Sequence, residues 1–375
     1  MGPIPATPAL HDQTVIQVMR LSAGGERLRV RFTNAFGTVP LQIGKARIGL
    51  AGPNGAFLPG TDRPVLFNGR DSASIAPGAP MLSDPVDLPV RALAKVVIRI
   101  YLPQDTGPCT CHPLSLEPGW VTDGDQAIAR GAPTGAPFAS RAFVAGIDVV
   151  ARQPVRSVVV LGDSLTDGYG ATVGGENSWP DRLAERLNAK ANGRVGVVNM
   201  GISGNRLLSF GAGESALARL DRDVLAQPGA RYLVVFIGIN DIGAGQLSHM
   251  TGPFADIMRS LFPKSGDLDP VAMLEGYRQI IERAHDRGMK VYGTTITPFG
   301  GAPLFNAASE AQRQAINKWI RTSAPFDAVL DFDAVWRDPA KPEQIRREFS
   351  SPDLLHGNDA GYRALADSVP LSLFN

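Results

Sequence analysis

Residues 156–165 read Arg-Ser-Val-Val-Val-Leu-Gly-Asp-Ser-Leu, and this stretch decides the fold of the second half of the chain. The apolar run 158–161 is typical of a short strand that is buried on both faces of a parallel sheet. A helix is predicted over 178–191, because Leu183 and Leu187 fall on one face at helical spacing. A buried strand followed by an amphipathic helix is the repeating unit of α/β domains.

The same alternation continues to the C-terminus. Further strands and helices are predicted, in chain order, at Val195–Asn199, 214–226, Tyr232–Ile237, 271–287, Val291–Thr295, 307–322 and Ala328–Phe332. Strands that alternate with helices form parallel sheets with helices on both faces. The second half is therefore predicted to be an α/β domain.

The first part of the chain has a different pattern of polar and apolar residues. Residues 27–32 alternate polar and apolar side chains, which places Leu28, Val30 and Phe32 on one buried face. Short strands separated by Gly/Pro turns favour a β-sandwich or jelly roll. We therefore expect two domains, an all-β domain over 1–145 and an α/β domain over 146–375.

The composition excludes some classes of function. The chain has 37 basic and 36 acidic residues and a net charge of +1, so it has no overall field to attract nucleic acid or an anionic membrane. Its longest clean apolar run, Leu233 to Ile239, is strand-sized and too short to span a bilayer. The first eight residues lack a basic segment followed by an apolar core and are not predicted to be a signal peptide. The compartment stays open, and secretion or a periplasmic location would fit a signal peptide absent from this chain.

The two cysteines, Cys109 and Cys111, are only two positions apart. This spacing is awkward for a disulfide, so no disulfide framework is expected. His112 follows them, but three ligands packed so closely without a fourth make a poor zinc site. We expect no metal and no organic cofactor.

Polar residues follow the predicted strands where the carboxyl ends of a parallel sheet would gather them. Gly162-Asp163-Ser164-Leu165 follows the first strand, Gly201-Ile-Ser-Gly-Asn205 the second and Gly238-Ile-Asn240-Asp241 the third. Asp353-Leu-Leu-His356 precedes the last helix. Ligands of open α/β sheets bind at that edge, so these four pieces are predicted to meet in one site.

These residue types suit acyl transfer. A serine such as Ser164 needs a base to take its proton, and a histidine oriented by a carboxylate, as His356 could be by Asp353, supplies that base. The developing oxyanion needs fixed N–H donors. The Asn240 side chain and the backbone of Gly201 and Ser164 are the candidates for this oxyanion hole.

The four pieces resemble, in order, the four blocks of the SGNH (GDSL-type) hydrolase superfamily. The resemblance covers residues 155–370 and implies a flavodoxin-like hydrolase domain, with Ser164 as nucleophile and Asp353 and His356 completing the triad. It also implies an oxyanion hole made by Ser164, Gly201 and Asn240. The β-rich first half resembles that of two-domain bacterial GDSL-type esterases, some of which act on carbohydrate or aryl esters.

The sequence departs from the superfamily pattern beside the histidine. Gly357 stands where a proline is frequent, and Leu354 stands where a small or polar residue is common. Thr166 excludes the Gly-x-Ser-x-Gly elbow of α/β-hydrolases. None of these departures removes a catalytic group.

Each residue also has a plain structural interpretation. Ser164 could cap a helix, Asn240 and Asp241 could form a turn, and Gly201 could only relieve a tight turn. The segment 242–270 could be a lid, a disordered loop or a short helix. Trp179, Phe210 and Phe305 could line a pocket or belong to the core.

The expected substrate is a small-molecule or carbohydrate ester, with short acetyl-type acyl groups first and simple aryl or alkyl esters next. Two rivals remain, an acyltransferase to an alcohol acceptor and an inert carbohydrate-binding protein. No nucleic-acid or membrane partner is expected, and the sequence leaves the oligomeric state open.

Overall fold

The computed structural model describes residues 8–191, 193–245, 247, 251, 252, 256, 259 and 269–375. The chain divides into two compact units. The first comprises Met1–Val155 with Ala191–Arg194, and the second comprises Arg156–Lys190 with Val195–Asn375.

The first unit is built almost entirely of antiparallel strands. They are β1 Gln13–Arg20, β2 Gly25–Thr33, β3 Leu41–Ile43, β4 Lys45–Leu50, β5 Arg63–Pro64, β6 Ala73–Ile75, β7 Pro80–Leu82, β8 Val86–Val90, β9 Lys95–Leu102, β10 Cys111–His112, β11 Gly119–Asp123, β12 Ala136–Pro137, β13 Arg141–Ala142 and β14 Val144–Val150. A single 3₁₀ turn among the described residues of this unit covers Pro53–Gly55.

Two sheets enclose one apolar core in this unit. One sheet has the order β12-β11-β1-β9-β4-β5, and the other contains β14-β2-β7, with β8 also pairing with β2. Leu28, Val30 and Phe32 are fully buried, as the alternation in β2 predicts, and they share a cluster with Ile98 and Ile100 of the facing sheet. The β-sandwich predicted for the first half is therefore present.

The last strand of the sandwich spans the boundary expected at residue 145. β14 pairs antiparallel with β2, from Val144 opposite Phe32 to Val150 opposite Arg27. The first unit consequently runs to Val155. The sequence signal was weak there because β14 is only half-buried and lacks a clean apolar alternation.

The cysteine prediction was wrong. Cys109 and Cys111 form a disulfide, with their Cα atoms 5.4 Å apart. That separation lies inside the usual Cα–Cα range for disulfides, although only Thr110 separates the two cysteines.

The second unit contains a parallel sheet with the order β16-β15-β17-β18-β19. Its strands are β15 Arg156–Gly162, β16 Val195–Gly201, β17 Ala230–Phe236, β18 Lys290–Thr294 and β19 Ala328–Leu330. Val158 to Leu161 of β15 are fully buried, as expected for a strand paired on both sides. This strand order is the flavodoxin-like one.

Helices connect and follow these strands. They are α1 Ser164–Asp167, α2 Trp179–Ala191, α3 Ala216–Leu220, α4 Ile239–Gly245, α5 Pro270–His285, α6 Ala307–Thr322, α7 Phe332–Trp336 and α8 Asp359–Ser368, with a π turn at Asp221–Leu225 and a 3₁₀ turn at Leu371–Phe374. The described helices include none that is long and apolar enough to cross a membrane.

Candidate active site

The candidate site lies at the carboxyl edge of the parallel sheet. β15 sits between β16 and β17, so the chain leaves β15 toward one side of the sheet and later returns to the other. Such a reversal opens a crevice beyond the strand ends. Ser164 follows β15 directly, and Asn240 lies in the first turn of α4 after β17.

Ser164 begins the one-turn helix α1. Asp163 is the N-cap residue, and its side chain accepts a hydrogen bond from the Leu165 N–H at 3.0 Å. Gly168 ends the turn in the left-handed conformation, at φ 100°. Because Asp163 fills the cap position, the Ser164 hydroxyl is not used as a helix cap, and Ser164 itself is 5% exposed.

The structure brings Ser164, His356 and Asp353 together. The Ser164 Oγ lies 2.7 Å from His356 Nε2, and His356 Nδ1 lies 2.7 Å from Asp353 Oδ2. His356 is fully buried. This line of hydrogen bonds joins residues 192 positions apart in the sequence.

Asp353 is held by several donors besides the imidazole. Its Oδ1 accepts from the backbone N–H groups of Leu355 and His356 and from the Ser351 hydroxyl, at 2.8–3.1 Å. Burial alone would raise the pKa of Asp353, but the bond and charge of His356, with these donors, hold that pKa well below its usual range. Asp353 is therefore a carboxylate at neutral pH.

An aromatic ring packs against the histidine. The Tyr169 ring lies 4.5 Å from the His356 ring, centroid to centroid, at 51°. The Tyr169 backbone is fixed, since its N–H donates to the Ser164 carbonyl at 3.0 Å and its own carbonyl accepts from the Tyr362 hydroxyl at 2.5 Å. Sequence reasoning missed Tyr169, although it lies only five residues after Ser164.

The two departures beside His356 are accommodated differently. Leu354 adopts φ 59°, a left-handed conformation that costs a non-glycine residue about 1–3 kcal/mol. Gly357 packs so closely on Trp336 that a Cβ there would lie 2.6 Å from the indole ring. A side chain at position 357 would therefore displace Trp336.

Asn240 has one amide N–H already engaged. Its Nδ2 donates to the Asn205 carbonyl at 2.9 Å, which leaves the second N–H of the same nitrogen for another acceptor. The neighbouring Asp241 is buried, and its carboxylate accepts from the backbone N–H groups of Leu207 and Leu208, at 2.8 and 3.2 Å. Asp241 thus supports the loop after β16, as a structural role predicts.

Gly201 does not offer the donor expected of it. Its N–H donates to the Asn199 side-chain oxygen at 2.9 Å, and the Asn199 amide donates to the Thr166 carbonyl at 2.9 Å. A Cβ on Gly201 would lie 2.2 Å from the Asp167 backbone nitrogen. Gly201 is therefore needed for close packing against α1, which is the plain interpretation that the sequence left open.

The nearby Gly204 has an N–H without a partner. It has φ 79°, and its N–H makes no hydrogen bond to any residue that the structure describes. Its neighbours are held beside β15 and α1, since the Ile202 N–H donates to the Gly162 carbonyl at 3.1 Å and the Ser203 hydroxyl donates to Asp167 at 2.7 Å. The Ser164 N–H is likewise without a partner among the described residues.

Replacing Gly201 by alanine is expected to destabilise the protein by roughly 1–3 kcal/mol, the usual cost of overpacking. The Cβ would meet the backbone of α1, which cannot move as a flexible side chain would. Urea unfolding would measure the loss. Gly131→Ala is the matched control, because a Cβ there meets nothing within 4 Å and its φ is not positive. Equal stability of the two variants would contradict the packing role.

A buried acid pair lies beneath the site. Burial, reinforced by the charge of Asp241, raises the pKa of Asp163 to about 7 despite the lowering effect of the Leu165 and Gly238 N–H groups and of Arg219. Burial also raises the pKa of Asp241 to about 6, against the Leu207 and Leu208 N–H groups and Arg206.

This pair predicts a pH-dependent stability. Between about pH 4 and 7 the folded state holds a proton on Asp163 that the unfolded chain has lost, so the stability that this proton gives declines as pH rises through that window. The slope would reach at most about 1.4 kcal/mol per pH unit. An asparagine can still cap α1, so the variant Asp163→Asn should fold and show a flatter profile. Identical profiles of unfolding free energy from pH 4 to 8 would refute this prediction.

The three aromatic residues considered for the pocket differ in burial. Trp179 is fully buried against Phe236 and Phe332 and belongs to the core, whereas Phe210 is 57% exposed. Phe305 packs edge-to-face on Phe299. Most of segment 242–270, which the sequence left open as a lid, a disordered loop or a short helix, lies outside the described residues.

The fold and the site are those of a flavodoxin-like domain in which a serine, bonded to a histidine, follows the first strand of a parallel sheet. Residues 160–364 match the GDSL-like lipase/acylhydrolase family, which is more than half of the chain, and the chain belongs to this family. It is accordingly a carboxylic ester hydrolase.

Solved structures with detectable similarity include three from bacteria. A putative lipolytic protein of the G-D-S-L family from Desulfitobacterium hafniense is 20% identical, over 56% of this chain and 96% of its own, at a TM-score of 0.41. A variant acetyl xylan esterase from Geobacillus stearothermophilus is 19% identical, over 57% and 93%, at 0.43. A GDSL-like lipase from Bacteroides thetaiotaomicron is 18% identical, over 57% and 87%, at 0.41. No curated protein matches the chain.

Proposed function

We propose that the protein hydrolyses carboxylic esters through an acyl-enzyme on Ser164. The observation that supports this most strongly is the unbroken line of hydrogen bonds from the Ser164 hydroxyl through His356 to Asp353, each 2.7 Å long. A serine, an imidazole and a carboxylate in this order form the general triad arrangement of serine hydrolases.

In the first half of the reaction, Ser164 Oγ attacks the ester carbonyl while His356 Nε2 takes its proton. The Asp353 carboxylate keeps the proton of His356 on Nδ1 and stabilises the imidazolium. His356 then gives its proton to the departing alcohol, which leaves an acyl group on Ser164. Water, deprotonated by the same nitrogen, attacks this acyl group and releases the acid.

The oxyanion would be held by three N–H donors, the Ser164 backbone, the Gly204 backbone and the Asn240 side chain. Gly204 takes the place that the sequence assigned to Gly201, because the Gly201 N–H is engaged by Asn199. Loss of one such donor typically lowers kcat by about 10²–10³-fold.

The substrate we propose is an ester with a short acyl group, acetyl before longer chains, on a carbohydrate or a simple aryl or alkyl alcohol. Ser164 is only 5% exposed and His356 is fully buried, which fits a small acyl group better than a long one. The resemblance to two-domain carbohydrate esterases supports the same class.

A series of p-nitrophenyl esters from acetate to palmitate tests this proposal. The expected result is the highest kcat/KM for acetate or butyrate and a steep fall beyond. A maximum at eight or more carbons would overturn the short-acyl assignment. Adding an alcohol and measuring ester products would separate hydrolysis from acyl transfer, and no turnover of any ester would favour the inert binding protein.

A further inference from the structure

A buried arginine lies beneath the proposed oxyanion hole, at a place that no step of the mechanism uses. Arg219 of α3 is 1% exposed. Its guanidinium donates to the Gly162 carbonyl at 3.0 Å and, through Nε and a terminal nitrogen, to the Asn205 side-chain oxygen at 3.1 and 3.0 Å. One planar group thus joins the end of β15 to the loop after β16.

Asn205 connects Arg219 to Asn240 through hydrogen bonds. Its side chain is fully buried, with Oδ1 engaged by Arg219 and Nδ2 donating to the Glu214 carbonyl at 2.8 Å. Its backbone carbonyl accepts the Asn240 amide at 2.9 Å. Only the nitrogen end of an amide side chain can donate to a carbonyl oxygen. This hydrogen bond therefore fixes the orientation of the Asn240 amide.

The direction of the second N–H then follows from the planarity of the amide. With one N–H on the Asn205 carbonyl, the other has a fixed direction, and a shift of that carbonyl moves it. Misplacement of a catalytic group by about 1 Å can cost roughly 10²-fold in rate. The position of the oxyanion donor therefore depends on a carbonyl that Arg219 anchors through the Asn205 side chain.

We propose that Arg219 and Asn205 are positioning residues for catalysis, which set the oxyanion-binding N–H of Asn240 relative to the strand that carries Ser164. This inference rests on the proposed function. Neither residue touches the substrate; they act through the Asn205 carbonyl. The guanidinium is suited to this because its fork reaches two acceptors at once, which a lysine ammonium at the same place cannot reproduce.

The test is a double-mutant cycle on kcat with p-nitrophenyl acetate, using Arg219→Lys, Asn240→Ala and the double variant of the full chain. We expect Arg219→Lys to lower kcat by about 10–100-fold with KM changed less than about threefold. In the Asn240→Ala background, Arg219→Lys should lower kcat less than about threefold, because the Asn240 amide that Arg219 positions is gone. Equal losses in both backgrounds would overturn the proposal.

Arg99→Lys is the matched control. Arg99 lies in the first unit, is 1% exposed like Arg219 and donates to the Gly55 and Gly131 carbonyls, so the same change there should leave kcat within about twofold. If Arg219→Lys does not fold, Asn205→Ala and Asn205→Asp decide the matter. The aspartate keeps an oxygen for Arg219 and should retain at least about ten times the kcat of the alanine variant, and equal values would contradict the anchoring role.

The same cycle separates this inference from the proposed function. An Asn240→Ala variant with unchanged kcat would remove Asn240 from the oxyanion hole and so overturn the mechanism itself. A large loss in Asn240→Ala, with additive losses for Arg219→Lys, would overturn only the positioning role.

Discussion

Replacement of Ser164 by alanine is expected to lower kcat by roughly 10⁴–10⁶-fold, since without the hydroxyl no acyl-enzyme can form. The fold should persist, because the N-cap of α1 is Asp163 and the Ser164 hydroxyl bonds only to His356 among the described residues. KM should change little if substrate binding depends on the rest of the site.

Steady-state hydrolysis of p-nitrophenyl acetate measures this loss, with circular dichroism to verify the fold. Ser323→Ala is a suitable control, because Ser323 lies at the exposed end of α6 and its hydroxyl contacts only Thr322 among the described residues. A Ser164→Ala variant that kept a tenth of the wild-type kcat would remove Ser164 from the mechanism.

The second large effect is expected from Asp353→Asn, with a fall in kcat of roughly 10²–10⁴-fold. The amide can still receive backbone N–H groups, but it cannot stabilise the imidazolium or hold the proton on His356 Nδ1 as a carboxylate does. Removing the charge should also shift the pH dependence of kcat/KM, because Asp353 no longer favours protonated His356.

The pH profile of kcat/KM from pH 5 to 9 measures both changes. The profile of Asp353→Asn should lie at lower pH than that of wild type, because the carboxylate charge that favours the imidazolium is gone. Asp367→Asn, which alters a 60% exposed carboxylate, is the control and should leave the profile unchanged. A profile shared by wild type and Asp353→Asn would contradict the orienting role of Asp353.

The sequence predicted the parts of the fold that depend on local pattern. The apolar run 158–161 and the helical periodicity of 307–322 are signals that a short window contains, and α6 begins and ends where they indicate. That Ser164 and Asn240 share one edge followed from a general rule on the carboxyl ends of parallel strands, whereas the partnership of Ser164 with His356 was implied by the resemblance to SGNH hydrolases.

The rest depended on contacts that no window contains. The Gly201 N–H is engaged only because Asn199 folds back on it, and the sequence does not show which of two nearby glycines keeps an unused donor. Arg219 was indistinguishable from a solvated helix residue until its burial against Gly162 and Asn205 was known. The disulfide likewise depended on the 5.4 Å distance between the Cα atoms of Cys109 and Cys111, which the spacing of the cysteines did not reveal.

The most direct test of the central claim is covalent labelling of the wild-type protein with diethyl p-nitrophenyl phosphate, followed by peptide mass spectrometry. The proposed mechanism predicts one diethylphosphoryl group per chain, attached to Ser164, with activity lost in proportion to labelling and with no labelling of Ser164→Ala. Stoichiometric labelling of another residue, or full activity after Ser164 is modified, would contradict it.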